Sequence, residues 1–256
     1  MSPRLDEREL RRRAVAGVRH EVEAFGSAAE SSILIRRPGV LAAVVPASPQ
    51  RSIFNSVFYD APAGLAAEIG ALAAAYDASG VRAWTVWVPD VDRASAELLA
   101  GRGHALDGAP RAMALDLADL AAEPPAPAGV AEGPIDPGKC AALNDRAYGY
   151  DESGFRAGFC GKTAIRWHGA FRDGEPVGCL GTIDAGEDDC CVSGVATPPE
   201  HRGQGVATWL LWRALREARE EGSSSASLRA SPAGAPLYER LGFRDLGFIE
   251  MWELRR

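Results

Sequence analysis

One stretch limits the fold of this 256-residue chain more than any other: AAEPPAPAGVAEGPIDPG, residues 121–138. Its five prolines remove backbone donors and fix φ, and its three glycines add chain freedom. Such a segment carries too much proline and glycine to pack as either a helix or a strand. It reads as a linker, with residues 1–120 on one side and 139–256 on the other, each of ordinary domain size.

The two flanks share a pattern. Leu10, Ala14, Val18 and Val22 recur every fourth residue and Phe25 extends the stripe, which predicts an amphipathic helix over 5–25. Short β-prone runs follow at 32–36, 40–45 and 53–59. An alanine-rich helix is expected at 64–78, a strand at 81–88, a helix at 92–101 and a strand at 111–117. Beyond the linker, a helix is expected at 139–146 and a loop at 147–160. Strands follow at 163–169, 175–183 and 190–197, with DAGEDD as the connection between the last two. Helix 204–220 carries Ala207, Leu210, Leu211, Ala214, Leu215 and Ala218 on one face. A strand at 225–230, a helix at 233–241 stopped by Gly242, and one or two strands over 243–254 complete the chain. Each half is thus α/β, an α+β mixed sheet with helices packed on it. The endings RAMALDL and IEMWELR echo each other, as do Glu97–His104 and Pro236–Phe243. Phe58 to Leu99 spans 41 residues, and Val195 to Tyr238 spans 43. These are the marks of a weak internal repeat.

Composition excludes several classes of function. Asp and Glu outnumber Lys and Arg by 35 to 28, for a net charge of -7, so no nucleic-acid partner is expected. The five cysteines are odd in number and form no CxxC pair, so neither a disulfide scaffold nor a metal site is expected. The opening MSPRLDERELRRR has no apolar core, and nowhere do 18 apolar residues follow one another. A cytoplasmic protein with no membrane partner is expected.

Chemistry concentrates in VATPPEHRGQGVATWLL, Val195 to Leu211. Pro198 and Pro199 end a strand, and a helix begins near Gly205. Between them the backbone can present several unpaired N–H groups at a helix N-terminus, a ready anion site that glycines allow a ligand to approach closely. The spacing fits neither the triphosphatase loop nor the dinucleotide fingerprint. Local physics leaves both a phosphate cradle and a plain tight turn open.

Val195–Ala207 resembles the acetyl-CoA-binding motif of the GNAT (GCN5-related N-acetyltransferase) family: Gln or Arg, two residues, Gly, one residue, Gly or Ala. Arg202, Gly205 and Ala207 meet it. The family's second marker is matched by Pro236-Leu237-Tyr238-Glu239-Arg240-Leu241-Gly242-Phe243, one helix and one strand later. The resemblance implies the acyl-CoA N-acyltransferase fold, in tandem, and an N-acetyltransferase taking acetyl-CoA as donor. It implies pairing of the pantetheine arm with the backbone of Val195, Ala196 and Thr197. The pyrophosphate would lie on the amides of Arg202, Gly203, Gln204, Gly205, Val206 and Ala207, and Tyr238 would protonate the departing thiolate. Direct attack on the thioester by an amine-bearing small molecule, peptide or protein is the expected reaction, carried out by a monomer or homodimer.

Glu187, Asp188, Asp189 and His201 are candidates for a general base, weighed against a solvated hairpin tip and a plain loop. A covalent route through Cys190 or Cys191 is a further alternative, although at most one of these neighbours can face the cleft. Tyr148, Tyr150, Phe155 and Phe159 border the acceptor region by the same resemblance, with Asp151 and Glu152 as amine contacts. In the first half Leu99 stands where Tyr238 does, and Asp60–Gly64 lacks the motif spacing. That half therefore reads as a degenerate GNAT-like copy that covers the other half's cleft or completes the structure. Its aromatics Phe54, Phe58, Tyr59, Trp84 and Trp87 are core residues or a pocket wall. A non-catalytic acyl-CoA-binding regulatory module is the rival function, opposed by the retention of Tyr238 beside an intact loop.

Overall fold

The computed structural model describes residues 4–28, 31–150, 155–156 and 164–256. The first half runs α1 (Glu7–Gly26), β1 (Ile33–Arg37), β2 (Val40–Val44), β3 (Ser56–Tyr59), α2 (Pro62–Ala78), β4 (Ala83–Pro89), α3 (Arg93–Ala100), β5 (Ala105–Gly108) and β6 (Arg111–Asp116). The second runs β7 (Val130–Pro134), α4 (Pro137–Tyr148), β8 (Ile165–Arg172), β9 (Glu175–Asp184), β10 (Asp189–Ala196), α5 (Val206–Glu220), β11 (Ser225–Ala230), α6 (Ala235–Leu241) and β12 (Arg244–Arg255). In both halves the order of strands and helices follows the expected plan. The reading of 121–138 as packing in neither element is corrected by β7, which lies at the rim of the sheet and, among the described residues, pairs only with β8. A rim strand tolerates Pro134 at its end because one edge needs no donors. The short β5 was likewise not anticipated.

All strands belong to one sheet in the order β1-β2-β3-β4-β12-β6-β11-β10-β9-β8-β7, with β5 beside β12. The halves exchange their last strands. β6 of the first half lies antiparallel on β11 of the second, Ala230 facing Arg111 and Ser225 facing Asp116. In return, β12 lies antiparallel on β4, from Ile249 opposite Pro89 to Arg255 opposite Ala83. The start of β12 also pairs with β6, so this one strand joins the two halves of the sheet. It turns at Gly247, whose φ of +98° suits glycine and whose missing Cβ would come within 2.6 Å of Asp90 Oδ2. Asp90 accepts from the Phe248 amide at 3.0 Å and pairs with Arg11 of α1, which pins the bend.

The long helix α1 joins the same exchange. Asp6 caps its start by accepting from the Glu9 amide at 2.8 Å. Leu10, Ala14, Val18 and Val22 are buried in a core shared with Trp87, Ala112, Leu246 and Ile249. Full burial of a side chain such as Leu or Val is worth about 1.5–3 kcal/mol. A second core joins Phe25, Val45 and Phe54 to Cys140, Ile165, Cys179 and Cys191, so the halves share apolar interior. On the opposite face, α5 buries Trp209, Leu210, Leu211 and Leu215 against β10 and β11.

Candidate active site

Parallel strands β10 and β11 pair from Asp189 opposite Ser225 to Val192 opposite Leu228, and there the ladder stops. Beyond that point the strands diverge into a V. On the other edge of β10, Ser193 faces Gly181 and Ala196 faces Cys179, so the strand carries one extra residue, a β-bulge. Gly194 in the bulge has φ +61°. Its carbonyl accepts from Asn144 Nδ2 at 3.3 Å, and the next carbonyl, Val195, accepts from the Tyr148 hydroxyl at 3.0 Å. The bulge is thereby held from the α4 side while its other edge faces the V. Thr197 Oγ1, at the strand's end, is buried and has no hydrogen-bond partner among the described residues.

A short 3-10 turn, Pro199–His201, carries the chain to the glycine loop. Gly203 and Gly205 both take positive φ, +73° and +79°, and a Cβ on either would meet nothing within 4 Å. The positions are thus glycine for conformation, beside open space. Gly205 is the N-cap of α5 and offers no side-chain cap. The first-turn amides of a helix have no partner within it, so those from Val206 onward are free for an anion in the positive field of the helix start. Arg202 serves as a strut: Nε donates to the Thr197 carbonyl at 3.0 Å and Nη2 to that of Ala147 at 2.5 Å. It ties the loop to the end of α4 and sets its charge beside the cradle. Gln204 closes the loop by donating to the Glu200 carbonyl at 3.1 Å. An open glycine loop, an uncapped helix start and a strand edge free of its neighbour fit a phosphorylated, pantetheine-like ligand.

Tyr238 lies on α6, 7% exposed, in the core that also holds Val206 and Leu228. Its ring meets Phe243 edge-on at 5.9 Å. Burial first, and the neighbouring Tyr148 phenol second, push its pKa above the usual tyrosine range. The phenol is therefore protonated throughout the neutral range, the state a proton donor needs. Tyr148 was read from sequence as a loop aromatic bordering the acceptor region, and it is instead the last residue of α4. Its hydroxyl is the one that holds the bulge, and an exposed tyrosine at the end of a helix gave no sign of that.

The candidate bases do not gather at the V. Asp189 starts β10, and six residues of strand, about 20 Å, separate it from Val195. It is buried and accepts from Ser227 Oγ at 2.6 Å and from Ser225 Oγ. Glu187 pairs with Arg12 at the exposed hairpin tip, and the Asp188 carbonyl accepts from Ser224 N at 2.8 Å. His201 ends the 3-10 turn, and its amide donates to the Pro198 carbonyl at 2.9 Å. Cys190 faces the α5 core and Cys191 the α1 side. Burial raises both thiols, Cys190 to about 12, which opposes a thiolate nucleophile. Asp151, Glu152, Phe159 and Cys160 lie outside the described residues. Among those described, no group of His, Cys, Asp or Glu could hold a metal, and no helix is long and apolar enough to cross a membrane.

A mixed sheet whose parallel central strands splay beside a glycine-initiated helix is the acyl-CoA N-acyltransferase fold. Residues 138–243, within the second half, match the model of the acetyltransferase (GNAT) family. Solved structures match across both halves. A GCN5-related N-acetyltransferase from Kribbella flavida is 18% identical, covering 93% of this chain and 95% of its own, with a TM-score of 0.65. One from Sphaerobacter thermophilus is 19% identical, covering 85% and 78%, with a TM-score of 0.58. A tandem GNAT protein from the clavulanic acid biosynthesis pathway is 18% identical, covers 94% of each chain, and has a TM-score of 0.57. At these identities the likeness is one of fold, and it extends to the tandem arrangement. No curated protein matches the chain.

Proposed function

We propose that the protein transfers the acetyl group of acetyl-CoA directly to an amine-bearing small molecule, peptide or protein, at one centre in the second half. The observation that carries this reading is the open V of β10 and β11, with the Gly203–Gly205 cradle at its mouth and a protonated Tyr238 beside it. Acetyl-CoA supplies the activated acyl carbon. The Arg202 amide is already taken by the Pro199 carbonyl at 3.2 Å, so the amides from Gly203 to Ala207 hold the pyrophosphate, and the free edge of Val195, Ala196 and Thr197 aligns the pantetheine arm. The Val195 carbonyl, already engaged by Tyr148, keeps a second lone pair for that role. A bulge N–H directed into the V stabilises charge building on the acyl oxygen, and Tyr238 gives its proton to the thiolate. Residues 1–120 form a degenerate GNAT-like half and 139–256 the catalytic half, joined through 121–138 and interlocked by the exchanged strands.

Thiol release from acetyl-CoA across a panel of primary amines tests the reading. Release with at least one amine, lost in Tyr238→Phe while acetyl-CoA still binds, is the expected result. Binding with no release from any amine would instead favour a non-catalytic acyl-CoA module.

A further inference from the structure

The first half places one buried charge at the head of the V. Glu21 of α1 is 3% exposed, and its two carboxylate oxygens are used separately. Oε1 accepts from Ser193 Oγ, and Oε2 pairs with the Arg229 guanidinium. Ser193 and Arg229 are the first residues beyond the last ladder pair, Val192 opposite Leu228. Glu21 therefore bridges the two lips of the V at the point where backbone bonds stop holding them. The bridge lies on the α1 face, opposite α5 and its glycine loop.

Helix and strand geometry account for the placement. Gly17 lets α1 come down on the sheet, since a Cβ there would lie 2.8 Å from Ser227 Oγ and 3.3 Å from Cys191 Sγ. One helical turn onward, about 6 Å, is Glu21. Two strand residues onward, about 6.6 Å, are Ser193 and Arg229. From the other side Trp87 of β4 lies under the guanidinium, 4.6 Å from Arg229 Cζ to the ring centroid. Stability does not account for such a pair, because an apolar pair of similar volume commonly leaves a fold as stable or more so.

We infer that Glu21 is a positioning residue for acetyl transfer: by joining Ser193 to Arg229 it fixes the opening of the V, so that the half without chemistry sets the geometry of the half that has it. This rests on the proposed acetyl transfer, with Ser193 and Arg229 as the groups through which Glu21 acts. The cradle at Gly203–Ala207 lies on the other face, so donor affinity and turnover are expected to separate.

The test uses the full chain and the paired variant Glu21→Met/Arg229→Met, which removes both buried charges together. Its melting temperature is expected within a few degrees of the parent. Calorimetric acetyl-CoA affinity should change less than about threefold, and kcat for thiol release should fall at least about thirtyfold. A well-folded variant with kcat within about threefold of the parent would overturn the inference. Amide hydrogen exchange over 193–196 gives a reading that does not depend on turnover. Exchange there at least about tenfold faster in the variant, with 225–228 unchanged, supports the bridge, and unchanged exchange overturns it. A parent that releases no thiol from any amine would sink the proposed activity, while this exchange measurement would still decide whether Glu21 holds the opening of the V.

Discussion

Among the described residues two parallel strand pairs part in the same way, and one of them is left open. In the second half, β10 and β11 separate after Val192 and Leu228, and a helix start with two positive-φ glycines faces the gap. In the first half, β3 and β4 pair at Ser56–Thr85 and Val57–Val86 and then separate too. Tyr59, just past that ladder, donates its hydroxyl to Asp92 Oδ2 at 2.6 Å, and Asp92 also caps α3 by accepting from the Ser95 amide at 3.0 Å. The segments leaving the two strands are thus tied together. Helix α2 starts with Pro62, which has no N–H to offer, and Gly64 lies against the Pro38 and Gly39 carbonyls, 3.5 Å from where its Cβ would be. Asp60 adds a negative charge where a phosphate would enter. The topology makes the opening, and a few residues at its mouth decide whether it becomes a site.

Four experiments would break or sharpen this contrast. The largest effect is expected from separating the halves. A fragment of residues 121–256 loses α1 and β6, leaving the β11 edge and the α1 face of the sheet bare. It should show no cooperative melting transition, and a fragment that melts like the parent would refute the interlock. Next is Tyr238→Phe, expected to lower kcat about a hundredfold or more with acetyl-CoA affinity kept, as loss of a positioned acid does. Gly205→Val forces a β-branched residue to φ near +79° at the cradle. Calorimetry should show acetyl-CoA binding weakened about tenfold, the equivalent of about 1.4 kcal/mol. The smallest effect is reserved for the closed V. Tyr59→Phe should cost about 1 kcal/mol in denaturant unfolding, the worth of one hydrogen bond, and leave thiol release unchanged. A drop in turnover there would mean that the first opening takes part in the chemistry.

Much of this was legible in the chain. The stripe from Leu10 to Val22 gave α1, and the family resemblance carried by Arg202, Gly205, Ala207 and Tyr238 implied the proposed cradle and acid. What was not legible has a common cause in long-range pairing. RAMALDL and IEMWELR are alike, so nothing local says which half's sheet each strand will complete, and their exchange appears only in three dimensions. β7 was hidden because prolines that rule out an interior strand are tolerated at a rim. Glu21 falls within the apolar stripe of α1, between the directions of Leu10 and Ala14, so the pattern turns it toward the core without saying what it meets there. Its partners Ser193 and Arg229 are about 170 and 210 residues away in sequence.

The most direct test of the central claim is a calorimetric titration of acetyl-CoA into the full-length protein, read for stoichiometry. One open V and one closed V predict one site per chain, abolished or strongly weakened by Gly205→Val and unaffected by Tyr59→Phe. Two sites per chain, or one that survives Gly205→Val and disappears in Tyr59→Phe, would contradict it.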